Sequence, residues 1–331
     1  MAVRVRAPAR LHFGFQNLSL VRERLYGGIG AAITEPAFDI TVETADSITV
    51  EAANGDVEAA EFRPIARQTV EMLDVPGLAV TVHDSIPHHV GLGSGTQRAL
   101  ATFAGAVATY DRSRTVRDGA PGLGRGGRSG IGVAAFESGG FIVDGGHPVE
   151  KFTVEPPKEG DWRVPPVVAR HPIPSHWRFV VIVPDVERGR HGPIEEAAMR
   201  SLIERASPAI AAEIASICLH RLLPAIADSD RGMAGQAITE IGRLNGAWYA
   251  DLQGGVYREA IGPIIRELAQ ANALDGVGQS SWGPTVFGLT ATDHVTDARR
   301  AARRALESTV GTGTVQIVEP RNSGATIELR D

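Results

Sequence analysis

The segment Ile86-Pro87-His88-His89-Val90-Gly91-Leu92-Gly93-Ser94-Gly95-Thr96-Gln97 runs straight into an apolar, alanine-rich stretch from Arg98 to Tyr110. It reads as a glycine-rich loop feeding the N-terminus of a helix. Glycine lets a ligand come close to the backbone, and the unpaired N–H groups of a first helical turn attract anions. Gly91, Gly93, Ser94, Gly95, Thr96 and Gln97 are therefore expected to bind a phosphate or pyrophosphate, with hydroxyl donors at Ser94 and Thr96. The competing reading is a capped turn ahead of a core helix.

The chain around this loop divides into two patterns. Val3 to Val5, Phe38 to Val42 and Ile48 to Val50 alternate as strands do, and Leu78 to Val82 is a strand leading into the loop. Val57 to Leu73 is a helix candidate. Gly119 to Gly130 carries too many glycines for an element interior and is expected to be loop. Ile131 to Glu137 reads as a short helix and Phe141 to Val143 as a strand. Lys151 to Pro174 is rich in proline and polar residues, and the domain boundary is placed there, giving domains 1–160 and 161–331. Beyond it come a strongly apolar strand, Phe179 to Val183, and helices from Pro193 to Ala273. Val286 to Leu289, Thr314 to Val318 and Ile327 to Leu329 are late strands, with a helix over Val295 to Ser308. This order points to a two-domain α+β protein.

Charge narrows the partners. The 331 residues carry a formal net charge of -6, which gives no basic face for nucleic acid. No apolar run approaches the roughly 20 residues that span a bilayer, and the first residues lack a signal-peptide hydrophobic region. Neither nucleic acid nor membrane is an expected partner, and a cytoplasmic location is inferred. Cys218 is the single cysteine, so no intramolecular disulfide forms; its apolar neighbours suggest helix packing. Two of the 33 basic residues are lysines, Lys151 and Lys158. Anion binding must therefore rest on arginine, which suits bidentate contact with phosphate and carboxylate. His83, His88 and His89 are not expected to form a metal site, because adjacent residues of a strand point to opposite faces. Asp185 to His191 follows a strong strand and is a candidate flap over a cleft.

Three features share an order and spacing: Ala7-Pro8-Ala9-Arg10-Leu11, the loop from Gly91 to Thr96, and Gly276-Val277-Gly278-Gln279-Ser280-Ser281-Trp282-Gly283-Pro284. They resemble the three motifs of the GHMP kinase superfamily. The resemblance implies a GHMP kinase-like two-domain α+β fold. Its N-terminal half would be ribosomal protein S5 domain 2-like with a left-handed βαβ unit, its C-terminal half ferredoxin-like, with a ligand cleft between. Two departures set the chain apart from the kinases. Gly132 stands where kinases of the mevalonate type place an acidic residue that helps activate the acceptor hydroxyl, and glycine cannot act as a base. Gln279-Ser280-Ser281-Trp282-Gly283-Pro284 replaces their C-terminal glycine loop.

Within the superfamily, six strings resemble the β-ribofuranosylaminobenzene 5′-phosphate synthases. They are Arg10 to Gly14, Tyr26 to Gly30, Gly91 to Gln97, Gly124 to Gly132, Phe136 to His147 and Gly278 to Pro284. The resemblance implies an enzyme that joins phosphoribosyl pyrophosphate to 4-aminobenzoate or 4-hydroxybenzoate and releases CO2 and pyrophosphate, in tetrahydromethanopterin biosynthesis. It also suggests Mg2+ as cofactor and a homodimer. Such a site must hold a pyrophosphate, a 5′-phosphate and a benzoate while excluding water. Pyrophosphate is expected at the 91–97 loop, and substrate phosphate or carboxylate at Arg125 and Arg128. Arg10 and His12 would share one face of a strand toward substrate. Glu137 and Asp144 are the candidates for Mg2+ ligation or for orienting the arginines. Gln279, Ser280 and Ser281 would serve ribose or carboxylate, and Trp282 would stack on the benzoate ring. Two other readings remain open: an ATP-dependent small-molecule kinase and a catalytically inactive ligand sensor.

Overall fold

The computed structural model describes residues 1–53, 59–188 and 192–330. Two sheets organise it. The first contains β1 (Ala2–Asn17), β2 (Arg24–Thr44), β3 (Ile48–Ala52), β4 (Leu78–Asp84), β5 (Phe141–Asp144), β6 (His147–Pro148) and β7 (Val167–His171). The second contains β8 (Trp177–Pro184), β9 (Gly276–Gln279), β10 (Val286–Ala291) and β11 (Gly313–Val318), in the order β11-β8-β10-β9. The last strand, β12 (Thr326–Arg330), returns to the first sheet and pairs antiparallel with β1. The boundary expected at 160 therefore falls inside the first sheet's span, because β7 pairs with β5 and the chain crosses to the second sheet only after His171.

The helices follow the apolar spacing. α1 (Phe62–Leu73) buries Phe62, Ile65, Ala66, Thr69 and Leu73, a 3–4 repeat that makes one face apolar. The expected helix began at Val57; residues 57 and 58 lie outside the described residues, and α1 starts at Phe62. α2 (Ser94–Thr109) is buried almost all round, which its small alanines permit. α3 (Val116–Gly119) and α4 (Ile131–Glu137) are short. α5 (Gly192–Arg205), α6 (Pro208–Ile217), α7 (Leu223–Ala227), α8 (Arg231–Gln253), α9 (Gly262–Leu268) and α10 (Val295–Thr309) complete the set. α6 runs through a π turn at Cys218–Leu222 into α7. This 208–227 segment has mean hydropathy 1.5 over an 18-residue window and is long and apolar enough to cross a membrane, so the expectation of no such run is corrected. Here Ile214, Ile217, Leu222 and Ile226 are buried in the protein's own core, with the Cys218 thiol among them. Burial pushes that thiol up to about 11.

The sheets share a core. Phe13 of β1 lies 5.1 Å from the Phe287 ring and 6.4 Å from Phe179, both in the second sheet, and 6.5 Å from Phe141 of β5. Fully burying one such ring is worth about 1.5–3 kcal/mol. That packing fixes β1 against the second sheet at the point where Arg10 and His12 emerge. The β1–β2 register shifts between Pro8 and Arg10 and again between His12 and Gly14. Irregularities of this kind re-aim side chains.

Candidate active site

The 88–97 loop forms as expected but is filled by protein. Gly91 and Gly93 have φ of +93° and +84°. A Cβ on Gly91 would stand 2.2 Å from the Ser280 carbonyl oxygen, and one on Gly93 would press on the Arg10 side chain at 3.2 Å. The Ser280 hydroxyl donates to the Gly91 carbonyl (2.7 Å) and accepts from the His12 N–H (3.1 Å). The Thr285 N–H donates to the Val90 carbonyl and the Ser281 N–H to the His12 carbonyl, both at 3.1 Å. The loop, β1 and the 280–285 turn are thus one clamped unit. Of the six residues expected to hold pyrophosphate, Thr96 is the one whose side chain lines the neighbouring cleft. Gln97 is buried and donates to the Gly132 carbonyl (2.8 Å), tying α2 to α4. The Gly91 carbonyl and the side chains of Gln97 and Ser280 are thus engaged within the protein.

The cleft has a volume of about 510 Å³ and runs past Arg10, His12, Thr96, the 123–129 loop, Gly132, Ser281 and Trp282. Three arginines converge on it. The Arg10 Nη1 donates to the Gly91 carbonyl at 2.6 Å, and burial lowers its pKa to about 10, so it stays charged at neutral pH. Arg125 is lowered first by burial and then by the Arg98 charge, with Glu159 opposing. Its Nη1 lies 3.2 Å from where a Gly95 Cβ would be, which sets the guanidinium over the first turn of α2. Its Nε is buried without a hydrogen-bond partner. The backbone of Arg125 is pinned: its N–H donates to Ala120 (2.8 Å), and its carbonyl accepts from the Trp162 indole (2.9 Å). Arg128 also lines the cleft, and Glu159 is the one acidic residue among the lining residues described. Arg10 and Arg125 are buried cations, which are costly to hold away from water, so this pair suits an anionic ligand. Gly132 borders the same space, and a Cβ there would stand 2.9 Å from the Thr96 methyl.

His12 is held from behind. Its Nε2 lies 3.1 Å from the Ser129 hydroxyl, which lies 3.2 Å from Asp144 Oδ2. Asp144 is fully buried and also accepts from the Gly130 N–H (2.8 Å) and the Gly146 N–H (2.9 Å). Burial raises its pKa to about 6 against the pull of those donors. His12 is pushed down to about 3, first by burial and then by Arg10, so it is neutral at pH 7.

The expected Mg2+ ligands do not meet in the cleft. Glu137 pairs with Arg117 at 2.6 Å, and Asp144 commits its oxygens to backbone and Ser129. Among the described residues no group of three or more His, Cys, Asp or Glu is placed to hold a metal ion. The side chains present do not fit a protein-built metal cage.

On the other wall, Trp282 stands edge-on to Tyr249 with ring centroids 4.7 Å apart. It borders both the cleft and a smaller recess of about 40 Å³ that reaches Phe15, Asn245 and Tyr257. Ser281 adopts φ +56° and lines both spaces. Gln279 faces the recess, accepting from the Arg258 N–H (3.1 Å) and donating to the Ser281 carbonyl (3.0 Å). Of the expected flap, Asp185 donates its N–H to Thr312 at 3.0 Å, and the carbonyls of Glu187 and Arg188 accept from Arg258. Residues 189–191 lie outside the described residues. His83 bonds Thr41 at 2.8 Å and His88 sits beside Arg98 and Glu61, both away from the cleft. Sequence reading missed Ser129, Phe152, Glu159 and Trp162. The last three belong to the proline-rich stretch read as a domain boundary, where the lone Trp162 was the available signal.

The comparisons agree with this frame. Residues 222–308 match the family described as GHMP kinases C terminal. The chain is 33% identical over 334 residues to beta-ribofuranosylphenol 5′-phosphate synthase of Methanothermobacter thermautotrophicus, covering 97% of each chain. It is 32% identical over 292 residues to the protein of the same name from Archaeoglobus fulgidus, covering 87% of this chain and 88% of that one. Among solved structures, Methanococcus jannaschii mevalonate kinase superposes with a TM-score of 0.64 at 12% identity, covering 96% of this chain and 98% of that one. The fold is that of the GHMP kinases.

Proposed function

The chain belongs to the beta-ribofuranosylphenol 5′-phosphate synthase family, and we propose that it joins phosphoribosyl pyrophosphate to 4-hydroxybenzoate with release of CO2 and pyrophosphate. The observation that carries the reading is the convergence of Arg10, Arg125 and Arg128 on one cleft, Arg10 and Arg125 at the α2 N-terminus, with Glu159 the one acidic residue among the described lining. The phenol in the relatives' name favours a hydroxyl over an amino acceptor. The family resemblance supports a place in tetrahydromethanopterin biosynthesis.

In the proposed reaction the bond from ribose C1 to pyrophosphate breaks and C1 gains oxocarbenium character. The ring carbon that bears the carboxylate forms the new C–C bond. The carboxylate leaves as CO2, and its bonding electrons restore aromaticity. Arg10, Arg125 and Arg128 hold the departing and spectator phosphates, and preorganised cations of this kind stabilise developing charge. The Thr96 hydroxyl adds a donor, and Trp282 offers an aromatic wall to the acceptor. No hydroxyl needs deprotonation for phosphoryl transfer, so glycine at 132 is compatible with the chemistry. Any Mg2+ would come with the pyrophosphate and supply counter-charge to it, since the described side chains offer no metal cage of their own.

The test is incubation of the purified protein with Mg2+, phosphoribosyl pyrophosphate and carboxyl-labelled 4-hydroxybenzoate, with 4-aminobenzoate as a parallel arm. Labelled CO2 without ATP is expected, and excess chelator should stop it. ATP-dependent phosphorylation of a small alcohol without CO2 release would overturn the reading. Tight phosphoribosyl pyrophosphate binding without turnover would leave the inactive sensor.

A further inference from the structure

One line of hydrogen bonds joins the buried acid behind the cleft to the imidazole that borders it. Asp144 as a carboxylate can only accept, and its Oδ2 lies 3.2 Å from the Ser129 hydroxyl. Ser129 has one hydroxyl hydrogen, and it goes to Asp144. The Ser129 lone pairs then meet the Ile131 N–H at 3.2 Å and His12 Nε2 at 3.1 Å. A lone pair facing Nε2 is satisfied only if Nε2 carries the proton. The neutral ring therefore keeps its lone pair on Nδ1. Among the described residues the His12 ring makes its side-chain hydrogen bond through Nε2 alone. The ring borders the cleft beside Phe15, 4.9 Å away edge to face, and beside Trp282. This is the aromatic side of the space.

We propose that Asp144 and Ser129 are positioning residues that lock His12 as its Nε2–H tautomer, so that Nδ1 accepts a hydrogen bond from the hydroxyl para to the carboxylate of the aromatic acceptor. The proposal rests on the function proposed above. That hydroxyl gains positive character as its ring attacks C1, so an acceptor on its hydrogen binds the transition state more strongly than the ground state. The arginines on the loop side cannot serve, since guanidinium has no acceptor.

Two arms test it. The first needs no substrate: long-range proton–nitrogen correlation spectra of ¹⁵N-histidine-labelled protein at pH 8, with His12 assigned by loss of its signal in His12→Asn. His12 is expected as the Nε2–H tautomer in the wild type and as a mixture in Ser129→Ala. A charged or Nδ1–H ring in the wild type overturns the relay whatever the enzyme does. The second arm is kinetic. Ser129→Ala is expected to lower kcat with 4-hydroxybenzoate about tenfold, with KM for phosphoribosyl pyrophosphate unchanged. His12→Asn, which returns an amide oxygen near the Nδ1 position, is expected to keep about tenfold more kcat than His12→Phe. Equal loss in the two His12 variants, or wild-type kcat in Ser129→Ala, overturns the assignment. Absence of CO2 release in the wild type defeats the function reading, while the spectra still decide the tautomer.

Discussion

Two glycine-rich loops meet at this cleft, and protein packs against the glycines of both, but only one of them lines the cleft along its whole length. In the 88–97 loop the space freed by missing side chains is taken by protein: Ser280 lies against Gly91 and Arg10 against Gly93. In the 123–129 loop the side chains of Glu159, Val164 and Trp162 stand where Cβ atoms on Gly124, Gly126 and Gly127 would go, while residues from Leu123 to Ser129 line the cleft continuously. Glycine spacing thus reports that something approaches the backbone closely, not what approaches. The first loop is a brace that places Arg10 and the α2 N-terminus. The second carries Arg125, Arg128 and Ser129 to the ligand space.

The largest expected effect tests the brace. Gly91→Ala places a Cβ 2.2 Å from the Ser280 carbonyl at a φ of +93°. The left-handed backbone costs an alanine about 1–2 kcal/mol and overpacking against backbone about 1–3 kcal/mol more. Gly124→Ala has φ +68°, but its Cβ meets the end of the Glu159 side chain, which can swing away. Urea melts should therefore show a loss of about 2–5 kcal/mol for Gly91→Ala and about 1–2 kcal/mol for Gly124→Ala. Equal losses would break the contrast between the loops.

The buried acid behind the second loop gives a pH signature. The folded pKa of Asp144 is raised from 3.8 to about 6. Between those values the unfolded chain has released a proton that the folded chain keeps, so this group's contribution to stability falls as pH rises from 4 to 6. The full penalty, about 3 kcal/mol, is present above pH 6. His12 acts in the opposite sense. Its folded pKa of about 3 means that stability is lost as pH drops below 6.5. The stability of the wild type minus that of Asp144→Asn should fall between pH 4 and pH 7 and cancel the His12 effect. A pH-independent difference would show that Asp144 titrates normally.

How much of this was legible depends on whether a residue's role is set by local pattern or by what packs on it. Both glycine loops, the short helix at Ile131 and the strands Phe179 to Val183 and Val286 to Leu289 followed from turn chemistry and apolar runs. Arg125 and Arg128 were expected at phosphate or carboxylate and Arg10 toward substrate, and all three border one cleft. The burial of Ser280 and Gln97 was not legible, because it depends on the 280–285 turn and α4 arriving from distant parts of the chain. Glu137 could not be separated from a ligand by type alone; its pairing with Arg117, twenty residues earlier, decides its place. The cleft wall at Phe152 and Trp162 was hidden because proline-rich sequence reads as linker even when it packs.

The next effect separates binding from folding in the second loop. Arg125→Ala removes a cation whose Nε is buried without a partner. Its loss relieves desolvation, so urea stability should hold or rise. A charge-assisted contact worth about 1.5–3 kcal/mol should disappear from substrate binding, lowering kcat/KM for phosphoribosyl pyrophosphate about tenfold or more. Arg128→Ala is expected to lower kcat/KM by a similar factor without loss of fold. Wild-type kinetics in both would return the anion site to the 88–97 loop and reverse the contrast drawn above.

The smallest and most discriminating effect is at Gly132 of α4, which packs on Thr96 of the first loop. A Cβ there stands 2.9 Å from the Thr96 methyl, so any side chain shifts Thr96, and Gly132→Ala measures that steric cost. Gly132→Asn and Gly132→Asp add nearly equal bulk beyond it and differ in charge. An aspartate would put a negative charge of the protein's own into the cleft that Arg10, Arg125 and Arg128 line. It would also repel the incoming carboxylate. Gly132→Asp should therefore lose about tenfold more kcat/KM than Gly132→Asn, a difference of about 1.4 kcal/mol, with no phosphorylation of alcohols from ATP. Equal loss in the two variants would make crowding of Thr96 sufficient and remove charge from the account. ATP-dependent phosphorylation by Gly132→Asp would mean that the glycine is all that separates this site from a kinase, and the arginine cluster would then have to be read as a nucleotide site.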